Sequence, residues 1–254
     1  MTFTSIKNID IKNKTVLLRA DLNVPAEGGK VTDTTRIDRL KPTIDYLRKA
    51  GAKILILSHF GRPDGEKNSG LSLAFLAPAL QKSWGVDVKF CQSTIGEQAQ
   101  EFSASLQNGD IGLLENLRFH KGEKSNDPEF AKSLAQLGDI YANDAFSCSH
   151  RAHTSTEGLA HLLPAAAGLL MEEELNALDA ALGNPQKPLA AVAGGSKIST
   201  KLSVLRSFWR TTKLLRRSFI KNSKAFFLKT RLSILCRIMI IISLKLTFPP
   251  QIYT

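Results

Sequence analysis

Short apolar, β-branched runs alternate along the chain with stretches in which apolar residues recur every three or four positions. The runs occupy residues 16–18, 54–57, 86–90, 111–114, 140–142 and 189–192. Because both alternating faces of each run are apolar, they predict strands of a parallel sheet buried on both sides. Ile37, Leu40, Ile44 and Leu47 predict a helix that closes on Arg48, Lys49 and Gly51, with Pro42 marking either a kink or a true start. Asn126 or Asp127 ahead of Pro128 predicts a capped helix presenting Phe130, Leu134 and Leu137 on one face.

Residues 171–182 predict an amphipathic helix with Leu175, Leu178 and Leu182 on one side. Gly183, Pro185 and Pro188 close it and make it a candidate domain connector. The run at 189–192 then enters Gly194-Gly195-Ser196-Lys197, and residues 199–205 predict a helix. This is the start of a second βα unit. Strand and helix in this alternation predict an α/β fold with a doubly wound parallel sheet, followed by an incomplete second domain.

Composition changes the picture only when it is divided. At 43% hydrophobic and 22% charged, the 254 residues have globular averages that suggest neither disorder nor a membrane protein. The net charge of +11, however, lies wholly in residues 206–254, which carry eleven Lys or Arg, no Asp or Glu and no Gly. Residues 1–205 hold 23 basic and 23 acidic residues, so the high isoelectric point is no argument for nucleic-acid binding by that part. Cys91, Cys148 and Cys236 lie far apart, which excludes a C-x-x-C zinc or redox motif and favours a reducing compartment. The polar first 14 residues do not read as a secretory signal, so a cytoplasmic protein is expected.

An open α/β sheet places its ligands just outside the strand carboxyl ends. The loops there carry Arg19, Asp21 and Asn23, then Ser58-His59-Phe60-Gly61-Arg62-Pro63. Further along come Glu115-Asn116-Leu117-Arg118-Phe119, and Asn143-Asp144-Ala145-Phe146 continuing to His150-Arg151-Ala152-His153. Arg36 is expected just before the first helix. Five arginines and three histidines in a neutral domain suit a small anionic ligand, since guanidinium forks match carboxylate and phosphate. Asp21 and Asn23 would add hydroxyl recognition, and Gly61 would let backbone approach the ligand. A set of ordinary surface salt bridges fits the same spacing.

In order and content, these motifs resemble successive signatures of the phosphoglycerate kinase family, beginning with Val16-Leu17-Leu18-Arg19-Ala20-Asp21-Leu22-Asn23-Val24-Pro25. Gly194-Gly195-Ser196-Lys197-Ile198-Ser199-Thr200-Lys201-Leu202 resembles the opening of that family's nucleotide domain. The resemblance implies a phosphotransferase of glycolysis that moves a phosphoryl group between 1,3-bisphosphoglycerate and ADP, giving 3-phosphoglycerate and ATP, with Mg-ATP or Mg-ADP as co-substrate. By position it implies that Asp21, Asn23, Arg36, His59, Arg62, Arg118 and Arg151 bind the phosphoglycerate, with Arg19 bracing their loop. Arg36 and Lys197 would serve the transfer itself, and Lys197 and Lys201 the nucleotide phosphates. No resident metal ligand is implied among these residues, and neither a nucleic-acid nor a membrane partner; a monomer is expected.

Other conspicuous residues have plainer readings. His120 and His161 are expected to be surface or packing residues, Cys148 a small buried filler, and Asp144 a loop brace rather than a general base. Gly194-Gly195 matches no phosphate-loop pattern and would by itself be a tight turn.

The expected organisation is a phosphoglycerate-binding α/β domain over residues 1–170, a helix and hinge over 171–187 and the start of a nucleotide domain over 188–205. Residues 206–254 would be an unrelated basic tail. After residue 205 the resemblance implies further βα units with a Gly-rich loop and an acidic metal ligand, which the tail's composition does not provide. Out-of-frame continuation is the simplest account, and it implies a truncated, catalytically impaired kinase. The competing expectations are a non-catalytic 3-phosphoglycerate-binding domain, or a membrane or polyanion binder acting through the tail. The apolar stretch at 232–246 is too short to span a bilayer and is interrupted by Arg237 and Lys245.

Overall fold

The computed structural model describes residues 3–182. In chain order the elements are β1 (Thr15–Arg19), β2 (Ala26–Glu27), β3 (Lys30–Val31), α1 (Thr35–Lys49), β4 (Lys53–Leu57), α2 (Ala77–Trp84) and β5 (Lys89–Cys91). They continue with α3 (Glu97–Ser105), β6 (Ile111–Leu114), α4 (Lys121–Ser125), α5 (Pro128–Ala135), β7 (Ile140–Asn143), β8 (Ala165–Ala167) and α6 (Leu169–Leu182). Six strands form one parallel sheet in the order β5-β6-β4-β1-β7-β8, and β2 and β3 form a small antiparallel hairpin.

The inner strands β1, β4, β6 and β7 are buried on both faces, as their patterning requires. Val16, Leu18, Ile54, Ile56, Ile111 and Leu113 enter one core with Ile37, Leu40, Ile44 and Leu47 of α1 and Leu80 and Trp84 of α2. Leu17, Leu55, Leu57, Leu114 and Tyr141 enter the opposite core with Ala99 of α3 and Phe130 and Leu134 of α5. Alternation at period two sends neighbours in one strand to different cores, so a one-residue register slip would exchange them.

Several expectations need adjustment. The strand expected at 86–90 is β5, which begins only at Lys89. Pro42 neither starts nor ends α1, which begins at Thr35 and runs through it. The cost is local, because Pro42 has no N–H to donate to the Asp38 carbonyl. Arg36 lies inside the first turn of α1 rather than before it. The connector helix begins at Leu169, two residues early. Asp127 caps α5 as expected, accepting from the backbone N–H groups of Glu129 and Phe130. Leu182 closes the described part, so the hinge at 183–187, the run at 189–192 and the tail lie outside the described residues.

From β1 the chain first builds the sheet outward through β4, then returns across β1 to lay down β7 on the other side. This reversal leaves the carboxyl ends of β4, β1 and β7 flanking a crevice, the place where such sheets bind ligands. All four motif-bearing loops leave from this one edge, after β1, β4, β6 and β7.

Candidate functional site

The loop after β1 opens the site. Asp21 Oδ2 accepts from Arg36 Nη1 at 2.7 Å, and Asp21 Oδ1 accepts from the Asn23 backbone N–H at 3.2 Å. Arg36 Nη1 also donates to the Asn23 carbonyl at 3.0 Å, so the first turn of α1 is tied to this loop. Ser147, in the loop after β7, donates through Oγ to the same Asp21 oxygen at 2.5 Å.

The loop after β4 is held from two sides. Gly61 donates its N–H to Asn23 Oδ1 at 3.1 Å, and its carbonyl accepts from Arg118 Nη1 at 2.7 Å. Its φ of +61° is in the left-handed region, and a Cβ would come within 2.8 Å of Leu71 Cδ2. The expectation that Gly61 admits a ligand to the backbone is therefore revised. Its N–H is already engaged by Asn23, and the glycine serves the turn and the packing of Leu71. Asn116 donates from Nδ2 to the carbonyls of Phe60 and Leu71, both at 2.8 Å, while Glu115 accepts from Ser72 and the Leu73 N–H. Both shape the loop from beneath.

Arg118 is 7% exposed, and burial, with the Arg151 charge next in weight, makes its proton easier to lose than usual. His59 is buried, with Nδ1 2.8 Å from Arg19 Nη2; burial first, then Arg19, Arg118, Arg151 and His153, lower its pKa from 6.5 to about 2. His153 is lowered to about 4 by burial and then by Arg118 and Arg151. Both rings are neutral near pH 7. Arg151 donates from Nε to His150 Nε2 at 3.2 Å. Arg62 is exposed and forms no side-chain hydrogen bond or ion pair among the described residues.

Asp144 acts as a brace. Its carboxylate accepts from Thr43 Oγ1 of α1 at 2.6 Å and from the Met171 N–H at 2.8 Å, capping the first turn of α6. A Cβ on Gly168 would meet Asp144 Oδ1 at 2.4 Å, so only glycine admits this approach. Burial raises the Asp144 pKa, partly offset by these hydrogen bonds.

His120 stacks on Phe130 and bonds Thr94, whereas His161 pairs with Glu157 at the surface. Cys148 is only half-buried, not a buried filler. Asp21, Asn23, Arg36, His59, Arg62, Arg118 and Arg151 all lie on the four loops or the adjoining helix turn at the carboxyl edge. Lys197 and Lys201 fall outside the described residues. Ser147, Ser155 and Glu123 escaped the sequence reading, because an isolated hydroxyl or a glutamate in a polar run carries no local signal.

This arrangement can hold a compact, multiply charged anion. Among the described residues no group of three His, Cys, Asp or Glu side chains could hold a metal ion, and no helix is long and apolar enough to cross a membrane.

A family model described as phosphoglycerate kinase matches residues 6–216. A phosphoglycerate kinase of Rhodospirillum centenum is 54% identical over 205 residues, covering 81% of this chain and 52% of the relative. One from Rhizorhabdus wittichii is 55% identical over 207 residues, with the same two coverages. Among solved structures, phosphoglycerate kinase from Coxiella burnetii matches with a TM-score of 0.74 at 42% identity, covering 82% of this chain and 52% of that one. The enzyme from Pyrococcus horikoshii matches at 0.73 and 33% identity, covering 82% and 53%. The chain thus spans about half the length of the curated relatives it matches.

Proposed function

The chain belongs to the phosphoglycerate kinase family, and from that premise we propose that the described domain binds 3-phosphoglycerate or 1,3-bisphosphoglycerate for phosphoryl transfer to or from a magnesium nucleotide. One observation carries this reading. Cationic side chains from three separate loops and from the first turn of α1 meet at one sheet edge, in a part of the chain whose net charge is zero. Arg36, Arg62, Arg118 and Arg151 supply charge for phosphate and carboxylate oxygens, His59 an uncharged contact, and Asp21 and Asn23 recognition of a hydroxyl.

Arg36, on the first turn of α1, would face the phosphoryl group in transfer. Phosphoryl transfer depends on positioning and charge neutralisation more than on covalent chemistry, so arginines can serve it without a nucleophilic side chain. The nucleotide enters as substrate, and Lys197 and Lys201 are the residues of this chain proposed to meet its phosphates. Activity would be cytoplasmic and carried out by a monomer.

The 254-residue chain by itself is proposed to transfer phosphate poorly. Residues 206–254 contain no Gly, Asp or Glu from which to form a Gly-rich phosphate loop or a carboxylate for the metal. Without both substrates held together, the entropic advantage of orientation, on the order of 10⁵ M or more, is lost. A coupled assay of the purified chain with 3-phosphoglycerate and MgATP should give turnover far below about 10 s⁻¹, an ordinary enzyme rate. In parallel, 3-phosphoglycerate should raise the melting temperature of the chain, and Arg36→Ala and Arg118→Ala should abolish the rise. Turnover near the ordinary rate would overturn the impairment; unchanged stabilisation in both variants would overturn the site.

A further inference from the structure

Beneath the anion-facing side chains lies a buried bonded cluster. Arg19 is 1% exposed, yet it forms no direct ion pair among the described residues. Its Nε donates to Ser155 Oγ at 2.9 Å, its Nη1 to the carbonyls of Ala20 and Leu57, and its Nη2 lies 2.8 Å from His59 Nδ1. Ser155 is fully buried and passes the bonding on. Its Oγ donates to Glu123 Oε1 at 2.6 Å and its N–H to Glu123 Oε2 at 3.1 Å. Both carboxylate oxygens therefore accept from one serine, as an ionised carboxylate does. The charges of Arg19 and Glu123 are joined through a hydroxyl rather than directly. Tyr141 fixes the serine further by donating from its hydroxyl to the Ser155 carbonyl at 2.7 Å.

A guanidinium has donors and no acceptor. The contact with Arg19 therefore requires His59 Nδ1 to present its lone pair, which leaves the ring's one proton on Nε2. That nitrogen has no hydrogen-bond partner among the described residues. Resting on the phosphoglycerate reading of the site, we propose that Ser155 and Glu123 are positioning residues. They hold Arg19 so that it locks His59 as the neutral Nε2–H tautomer, and the ring meets the anion as an uncharged donor.

The arrangement has a physical use. The charged and titratable groups facing His59 are Arg19 below it, Arg118 from the loop after β6, and Arg151 and His153 from the loop after β7. A further cation among them would add repulsion before any anion arrived. A neutral N–H contributes a hydrogen bond without that cost and without taking up a proton on binding.

The test uses the full chain with ¹⁵N-labelled histidine and no ligand. Long-range ¹H–¹⁵N spectra give the tautomer of each ring, with His59 assigned by its loss in His59→Gln. Wild type should show the pure Nε2–H pattern with no titration between about pH 5 and pH 8. Ser155→Ala and Glu123→Gln should each produce a tautomer mixture and weaken 3-phosphoglycerate binding about tenfold, the worth of one good hydrogen bond.

An Nδ1–H or imidazolium pattern in wild type overturns the proposal, and that measurement stands even if both variants fail to fold. A pure Nε2–H pattern retained in both folded variants overturns the roles of Ser155 and Glu123. If the tautomer behaves as expected but wild type does not bind 3-phosphoglycerate, the functional reading fails and the brace remains.

Discussion

Arg19 ends β1 and Arg62 stands on the loop after β4, at the same sheet edge, and the fold treats them in opposite ways. Arg19 is buried and donates to a hydroxyl, two carbonyls and an imidazole. Arg62 is exposed and forms no side-chain hydrogen bond or ion pair among the described residues. Similar contrasts divide the whole site into a floor of Arg19, His59, Glu123 and Asp144, all buried, and a rim that includes Arg36, Arg62 and Arg151. Apart from His59 Nε2, the floor spends its hydrogen-bonding capacity on the protein; the rim keeps much of its own for a ligand. Cationic residue type alone does not say which arginine belongs to which layer.

The largest effect that could break this division comes from Arg19→Met. The change keeps apolar bulk but strips partners from two carbonyls, Ser155 and His59, and leaves Glu123 without its compensating charge. It should cost about 3 kcal/mol or more in urea denaturation, whereas Arg62→Met should stay within about 0.5 kcal/mol. Comparable losses in the two variants would erase the distinction between floor and rim.

A smaller effect concerns pH. His59 titrates near 6.5 in the unfolded chain and at about 2 when folded, so the unfolded state takes up a proton that the folded state refuses. Its contribution is fully present above pH 6.5 and is lost as pH falls towards the folded value. In the reverse sense, burial raises Glu123 and Asp144, which favours the folded state as pH falls through their own window. Those terms are shared by wild type and His59→Gln, so the difference between them isolates the histidine. From about pH 6 to about pH 4, wild type should lose stability more steeply than His59→Gln, by on the order of 1 kcal/mol per pH unit. Parallel curves for the two proteins would mean that His59 is not held neutral by the floor.

Much of the central sheet was legible because buried parallel strands need apolar residues on both faces. Val16, Leu17 and Leu18 satisfy that locally, whatever their partners. β8 was not legible. Ala165–Ala167 has neither β-branching nor alternation, and it is a strand because it pairs with Tyr141, Ala142 and Asn143 of β7. The hairpin of β2 and β3 had a signal in Gly28-Gly29, both at positive φ, that the apolar pattern overshadowed.

The site divides along the same line as its two layers. The rim was legible from residue type at strand ends, since a cation that meets an anion must be charged and must sit where the loops converge. The floor was legible only at His59, named for the site, and at Arg19 and Asp144, expected to brace. Glu123 sits in Lys121-Gly122-Glu123-Lys124-Ser125, which reads as a solvated charge run, and Ser155 sits between two threonines. Only tertiary packing buries both and turns them towards Arg19.

Titration calorimetry of 3-phosphoglycerate into the full chain and into Arg36→Ala tests whether this sheet edge is a phosphoglycerate site with a ligand-facing rim. Wild type should show one saturable binding event, and the variant an affinity at least about tenfold weaker, the loss of a charge-assisted contact. No binding in folded wild type, or the same isotherm in both proteins, would contradict that assignment.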